Sequence, residues 1–168
     1  DTTATGAYLT MATSSGTAGK LYATGDNTLG FLDSQNHYML KGIKDGAVEL
    51  YHDNIKKFDT ITTGIRVHGD EGGTAQLQLL ADEGDDNADY WRFIAETNGI
   101  LNIQDYGSGN WYNNIRLNGN AGGVDLYHNN ISMLQTESRG AFVTKGDGGD
   151  TTFTVGSTNA SGVRICLD

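Results

Sequence analysis

The chain has 168 residues and a formal net charge of −10, with 24 Gly, no Pro and a single Cys. That acidity argues against nucleic acid or an anionic membrane surface as partner, because both need Lys and Arg on the contacting face. The lone Cys166 rules out an intrachain disulfide and reads as a small buried apolar residue.

No stretch approaches the roughly 20 apolar residues of a membrane span, so no membrane insertion is expected. No signal peptide is visible. The chain opens at Asp1, which reads as a processed product or a piece of something longer. Abundant Gly, Asn and Asp supply turns, while Thr, Val, Ile and Tyr favour pleated surfaces. The missing Pro fits a backbone whose N–H groups are nearly all wanted by ladders. The composition predicts an all-β chain of many short strands with almost no helix.

In chain order the strand-like runs are 7–11, 19–24, 28–32, 36–41, 47–52, 55–60, 74–80, 90–95, 100–105, 110–118, 124–128, 131–136, 151–155 and 162–167, separated by Gly, Asn and Asp clusters. Between the fifth and sixth runs Asp53-Asn54 predicts a two-residue type I′ hairpin turn, and Asn129-Asn130 predicts the same later in the chain. Simple alternation puts Val48, Leu50, His52 and Ile55 on one face, with Tyr51 and Phe58 on the other. The later copy repeats this with Val124, Leu126, His128 and Ile131 against Tyr127 and Leu134. With apolar residues on both faces, the hairpin is expected to be covered on both sides.

The two hairpins belong to a duplication. Residues 46–67 return 76 positions later as 122–143, with ten identities in 22 aligned positions. Residues 28–33 resemble 100–105 at an offset of 72, implying a four-residue insertion, most simply in Gly107-Ser108-Gly109-Asn110. The ends echo each other as well, 4–11 with 160–167. The expected organisation is repeat one over 1–69, repeat two over 70–146 and the start of a third over 147–168. A repeat of this size with few large side chains cannot easily cover itself, and identical chains around a common axis would supply the cover.

Gly46-Ala47-Val48-Glu49-Leu50-Tyr51-His52-Asp53-Asn54-Ile55-Lys56-Lys57-Phe58 and the acidic run from Leu80 to Arg92 resemble elements repeated in tail-fibre and tail-spike-like virion proteins of marine tailed bacteriophages. The departures are His52 and His128 where Tyr is common, and Tyr90 where Lys is usual. The resemblance implies an elongated, repeat-built fibre segment, an intertwined or side-by-side parallel homotrimer. It would act as a structural, non-enzymatic virion appendage at the virion surface or extracellularly. Its partners would be other virion proteins and a host-surface glycan. The trimer core would be Val48, Leu50, Ile55, Phe58, Val124, Leu126, Ile131 and Leu134. The competing readings are a glycan-binding adhesin, a polysaccharide-degrading tail spike, and a bacterial surface or filament protein built from the same repeats.

Three groups are candidate sites. Asp82, Asp85, Asp86 and Asp89 with Glu83 put five acids into eight residues, a density of hard oxygen that suits a structural calcium ion. The spacing is not that of an EF-hand, and the plainer reading is a solvated acidic turn. Trp111 and Tyr112, beside a Gly-rich loop, are the candidate glycan contacts, whereas Trp91 reads as packed. His52 and His128 hold equivalent positions and read as a repeated structural bond. His37 and His68 have no partner assignable from the sequence. No nucleophile–base arrangement and no phosphate loop can be argued, so no catalytic residue is assigned.

Overall fold

The computed structural model describes residues 6–138 and 140–143. They form two seven-stranded antiparallel sheets. The first contains β1 (Gly6–Thr13), β2 (Gly16–Thr24), β3 (Thr28–Asp33), β4 (Tyr38–Ile43), β5 (Val48–His52), β6 (Ile55–Ile61) and β7 (Gly64–Val67). The second contains β8 (Ala75–Leu80), β9 (Tyr90–Ala95), β10 (Ile100–Asp105), β11 (Tyr112–Asn118), β12 (Gly123–His128), β13 (Ile131–Glu137) and β14 (Gly140–Val143). Each sheet is a meander in which every strand pairs with its neighbours in sequence. Neither sheet closes on itself. Among the described residues helix is limited to two single-turn 3-10 segments, Asp82–Gly84 and Asn87–Asp89. The strands expected at 151–155 and 162–167, the third repeat at 147–168 and Cys166 lie outside the described residues.

The duplicated sequence builds the same local structure twice. β5, β6 and β7 correspond to β12, β13 and β14 at the 76-residue offset. Both predicted two-residue turns carry positive φ at both positions: 50° and 62° for Asp53-Asn54, and 50° and 62° for Asn129-Asn130. This backbone matches the right-handed twist of the flanking strands, and Asn and Asp tolerate it better than other side chains. A side-chain bond recurs too. Val48 N–H donates to Thr60 Oγ1 at 2.9 Å, and Val124 N–H donates to Thr136 Oγ1 at 2.8 Å. The short edge strands β7 and β14 were missed by the sequence reading, because Gly-Ile-Arg-Val and Gly-Ala-Phe-Val are too brief to show a period.

The structure corrects the facing of the hairpins. Leu50 lies opposite Phe58 and Leu126 opposite Leu134, so each pair shares a face. Simple alternation fails because a bulge intervenes: Tyr51 pairs with Lys56 and Tyr127 with Ser132, leaving Lys57 and Met133 as extra residues. One extra residue reverses the parity of everything beyond it. The same device occurs between Met11 and Ala12, between Phe31 and Leu32, and between Ile103 and Gln104. With Phe58 and Leu134 returned to the apolar side, the expected cover on both faces disappears. One face is apolar and the other polar.

Because the bulge absorbs one extra residue and no more, inserting one Ala after Lys57 should turn Phe58 toward the charged face. The expected outcome is loss of the folded transition for the β5–β7 segment, read by hydrogen exchange at β6 amides. Lys57→Ala, which keeps the residue count, should leave that protection intact.

Candidate functional site

Register places one uninterrupted apolar row across the first sheet. Leu9, Leu21, Phe31, Leu40, Leu50, Phe58 and Val67 stand opposite one another from β1 to β7. The second sheet repeats it with Ile103, Ile115, Leu126, Leu134 and Val143 from β10 to β14. A flanking row adds Leu29 and Val48 in the first sheet, and Leu101, Leu117 and Val124 in the second. These residues are not sealed by their own sheet: Phe31 is 43% exposed, Val48 44%, Leu50 42% and Leu126 41%. Asp59, by contrast, is 1% exposed. Among the described residues the buried set is mostly polar, and only Leu32 and Ile94 are buried large apolar side chains. Contiguous exposed apolar rows of this extent mark an interaction surface.

The opposite face of the first sheet is a charge lattice. Glu49 and Asp59 sit opposite each other on β5 and β6, with Lys41 opposite Glu49 and Arg66 opposite Asp59. Arg66 grips Asp59 with two bonds, Nε to Oδ1 at 3.0 Å and Nη2 to Oδ2 at 2.8 Å. Lys56 Nζ donates to both carboxylates, at 3.0 Å to Glu49 Oε1 and 3.1 Å to Asp59 Oδ2. His68 Nε2 lies 3.1 Å from Asp59 Oδ1, and His37 Nδ1 lies 3.4 Å from Asp33 Oδ2, which supplies the two partners the sequence did not reveal. Tyr51 donates its hydroxyl to Glu49 Oε2 at 2.7 Å, and Lys41 Nζ stands 3.5 Å from the same oxygen.

These contacts fix protonation. The Arg66 guanidinium, ahead of His68 and Lys56, holds the Asp59 carboxyl far below the usual range against the opposing effect of burial. For Glu49, burial acts upward but is outweighed by the Tyr51 hydroxyl and the Lys56 and Lys41 ammoniums, so its carboxyl is also lowered. Burial, then the Glu49 carboxylate, pushes the Tyr51 phenol up to about 12.

The second sheet keeps part of this lattice. Arg116 Nη1 donates to Asp125 Oδ2 at 3.2 Å where Lys41 meets Glu49, and Tyr127 donates its hydroxyl to the same oxygen at 3.4 Å. The positions of Lys56, Asp59 and Arg66 are taken by Ser132, Gln135 and Phe142, which removes the second carboxylate and its clamp. Nearer β9 the polar face carries a chain of bonds: Arg92 Nε donates to Gln104 Oε1 at 2.6 Å, and Gln104 Nε2 donates to Asn113 Oδ1 at 2.7 Å.

The proposed glycan contacts emerge differently from expectation. Trp111 is half-buried, with its ring centroid 4.0 Å from the Arg92 guanidinium carbon and 5.1 Å from the Tyr106 ring. Trp91, expected to be packed, is 43% exposed. Alternation along β9 explains the exchange. Arg92 points to the polar face, so Trp91 and Phe93 join the apolar one. Tyr112 is half-buried at the start of β11.

The acidic run forms a local turn. Asp82, Asp85, Asp86 and Asp89 do not converge, and among the described residues no three acidic, His or Cys side chains are grouped to hold a metal ion. The Asp89 carboxylate instead accepts the Asp86 N–H at 3.1 Å, and the Tyr90 hydroxyl donates to Gly84 O at 2.7 Å. His52 and His128 are exposed at the ends of β5 and β12, opposite Ile55 and Ile131.

No family model, curated protein or solved structure matches the chain.

Because the Asp59 carboxyl is held low when folded, its contribution to stability is fully present above the ordinary carboxylate pKa of about 4 and is lost as pH falls below it. Asp59→Asn should therefore lower stability at neutral pH and flatten the acid limb of the stability profile, measured by urea denaturation from pH 7 to pH 2. An unchanged acid limb would remove Asp59 as its source.

Proposed function

We propose that the chain is a structural segment of a viral appendage, a tail fibre or related fibre, assembled as a parallel homotrimer. It projects from the particle and contacts the host cell surface. One observation carries this reading: each sheet carries an in-register apolar face that its own strands leave uncovered. A single layer has nothing to pack this face against, and a second layer is what stabilises a sheet. Covering one Leu or Phe of such a row is worth roughly 1.5–3 kcal/mol, and the row has a member in every strand of the first sheet and in β10 to β14 of the second. The duplicated sequence supports an elongated design, since each repeat offers an equivalent face to the same repeat of a sister chain. The resemblance of residues 46–58 and 80–92 to virion fibre elements supports the viral setting. The net charge of −10 keeps assembled particles apart in solution.

A polysaccharide-cleaving role is less well supported. Glycoside hydrolysis needs two carboxyl groups flanking an open groove, one of them protonated. Glu49 and Asp59, the adjacent carboxylates of the first sheet, are both engaged by cations and both held ionised.

Sedimentation of the intact chain should give three times the single-chain mass. Leu50→Asp combined with Leu126→Asp, both on the apolar rows, should yield dissociated or unfolded chains, while Thr10→Asp on the polar side of β1 should not. A compact, folded monomer for the unaltered chain would overturn the trimer.

A further inference from the structure

The two sheets differ at one matched place on their polar faces. In the second sheet the row Arg92, Gln104 and Asn113 crosses β9, β10 and β11, and the Trp111 indole lies over it, stacked on the Arg92 guanidinium at 4.0 Å. In the first sheet the same row is Lys20, Leu32 and Tyr38, paired across β2, β3 and β4. Leu32 stands 72 positions before Gln104, the offset of the duplication there. Both Trp residues of the chain belong to the second repeat, so no indole can fill the first. What occupies the place is a depression of about 290 Å³, floored by the buried Leu32, walled by Tyr8, Tyr22 and Tyr38, and edged by Lys20 and Asn36.

The walls are firmly set. A side chain at Gly30, beneath Tyr38, would meet Leu40 O and the Tyr38 ring at 2.7 Å, so the glycine lets that phenol lie flat on the strand. The Lys20 ammonium stands 5.3 Å from the Tyr8 ring centroid and donates to Asn36 Oδ1, which uses one of its three N–H donors. A second ammonium, Lys41, lies 5.6 Å from the Tyr38 ring centroid. The nearby Asp33 carboxylate is engaged by the Gln35 and His37 N–H groups, both at 2.8 Å.

We propose that this depression binds a six-membered ring with one apolar face and a carboxylate on its edge, in the position that Trp111 holds in the second sheet. The apolar face rests on Leu32 and the tyrosine rings, and the carboxylate meets Lys20. The remaining polar edge meets Asn36 and the phenol hydroxyls. Such chemistry has two sources, a hexuronic acid unit of an acidic glycan and an aromatic carboxylic acid. The inference rests on the reading that the apolar faces are the ones covered by sister chains, which leaves this polar face open to solvent.

Saturation-transfer NMR on the assembled full chain tests it with three probes: glucuronate, benzoate and glucose. At least one of the two acids should bind in the millimolar range, and glucose should bind about tenfold more weakly or not at all. Binding of glucuronate alone identifies the glycan source, and of benzoate alone the aromatic source. Lys20→Ala should weaken the bound acid by about tenfold and Tyr38→Ala should abolish binding, with Arg92→Ala in the second sheet as the control that changes nothing. Lys20→Ala decides the matter if Tyr38→Ala fails to fold. The proposal is overturned if neither acid binds, if glucose binds as well as glucuronate, or if Lys20→Ala leaves affinity unchanged. Sedimentation of the same samples separates the two readings: a monomer that still binds through Lys20 removes the trimer and keeps the pocket.

Discussion

The two-sidedness of each sheet depends on keeping side chains in phase across strand after strand. In a single layer every residue faces one side or the other, and a slip of one position moves a whole strand's apolar set to the wrong face. The hairpins solve this with extra residues. Ala18, Met39, Lys57, Asn114 and Met133 each occupy a bulge, and beyond each bulge the apolar row resumes on the same side. Were these extra residues paired regularly instead of bulged, Leu50 and Phe58 would lie on opposite sides of the sheet, and neither face would be consistently apolar.

Given that phase, the faces divide their roles. The apolar rows are nearly interchangeable between repeats: Phe31, Leu40, Leu50, Phe58 and Val67 become Ile103, Ile115, Leu126, Leu134 and Val143. The polar faces have diverged. The first relies on the Asp59 clamp to tie β7 to β6, whereas the second replaces it with Gln135 and Phe142 and adds the Arg92–Trp111–Tyr106 stack. Divergence on one side with retention on the other fits a surface under a packing requirement that the opposite side escapes.

Strand positions were largely legible because Gly, Asn and Asp punctuate the chain at each turn and leave short β-branched and aromatic runs between. The I′ turns were legible because positive φ at two successive positions restricts the residue choice to a few types. Facing was not. A bulge leaves no compositional mark, and Lys56-Lys57 reads like any other polar pair. The exchange of Trp91 and Trp111 has a similar origin. Position beside a flexible-looking loop suggested exposure for Trp111, but ring stacking on Arg92, nineteen residues away in sequence, holds it down. The Asp59 cluster was invisible for a further reason. Its members come from β4, β5, β6, β7 and the residue after β7, and only register brings them together.

The meander order has a kinetic consequence. Each strand finds its partner in the segment just before it, so loop closure stays short and the pairing can zip along the chain as it emerges. With no X-Pro bond anywhere, no isomerisation step delays that zipping. In the trimer proposed above, the slow event is left to the meeting of finished layers from different chains, a bimolecular step that dilution retards and crowding of nascent copies hastens.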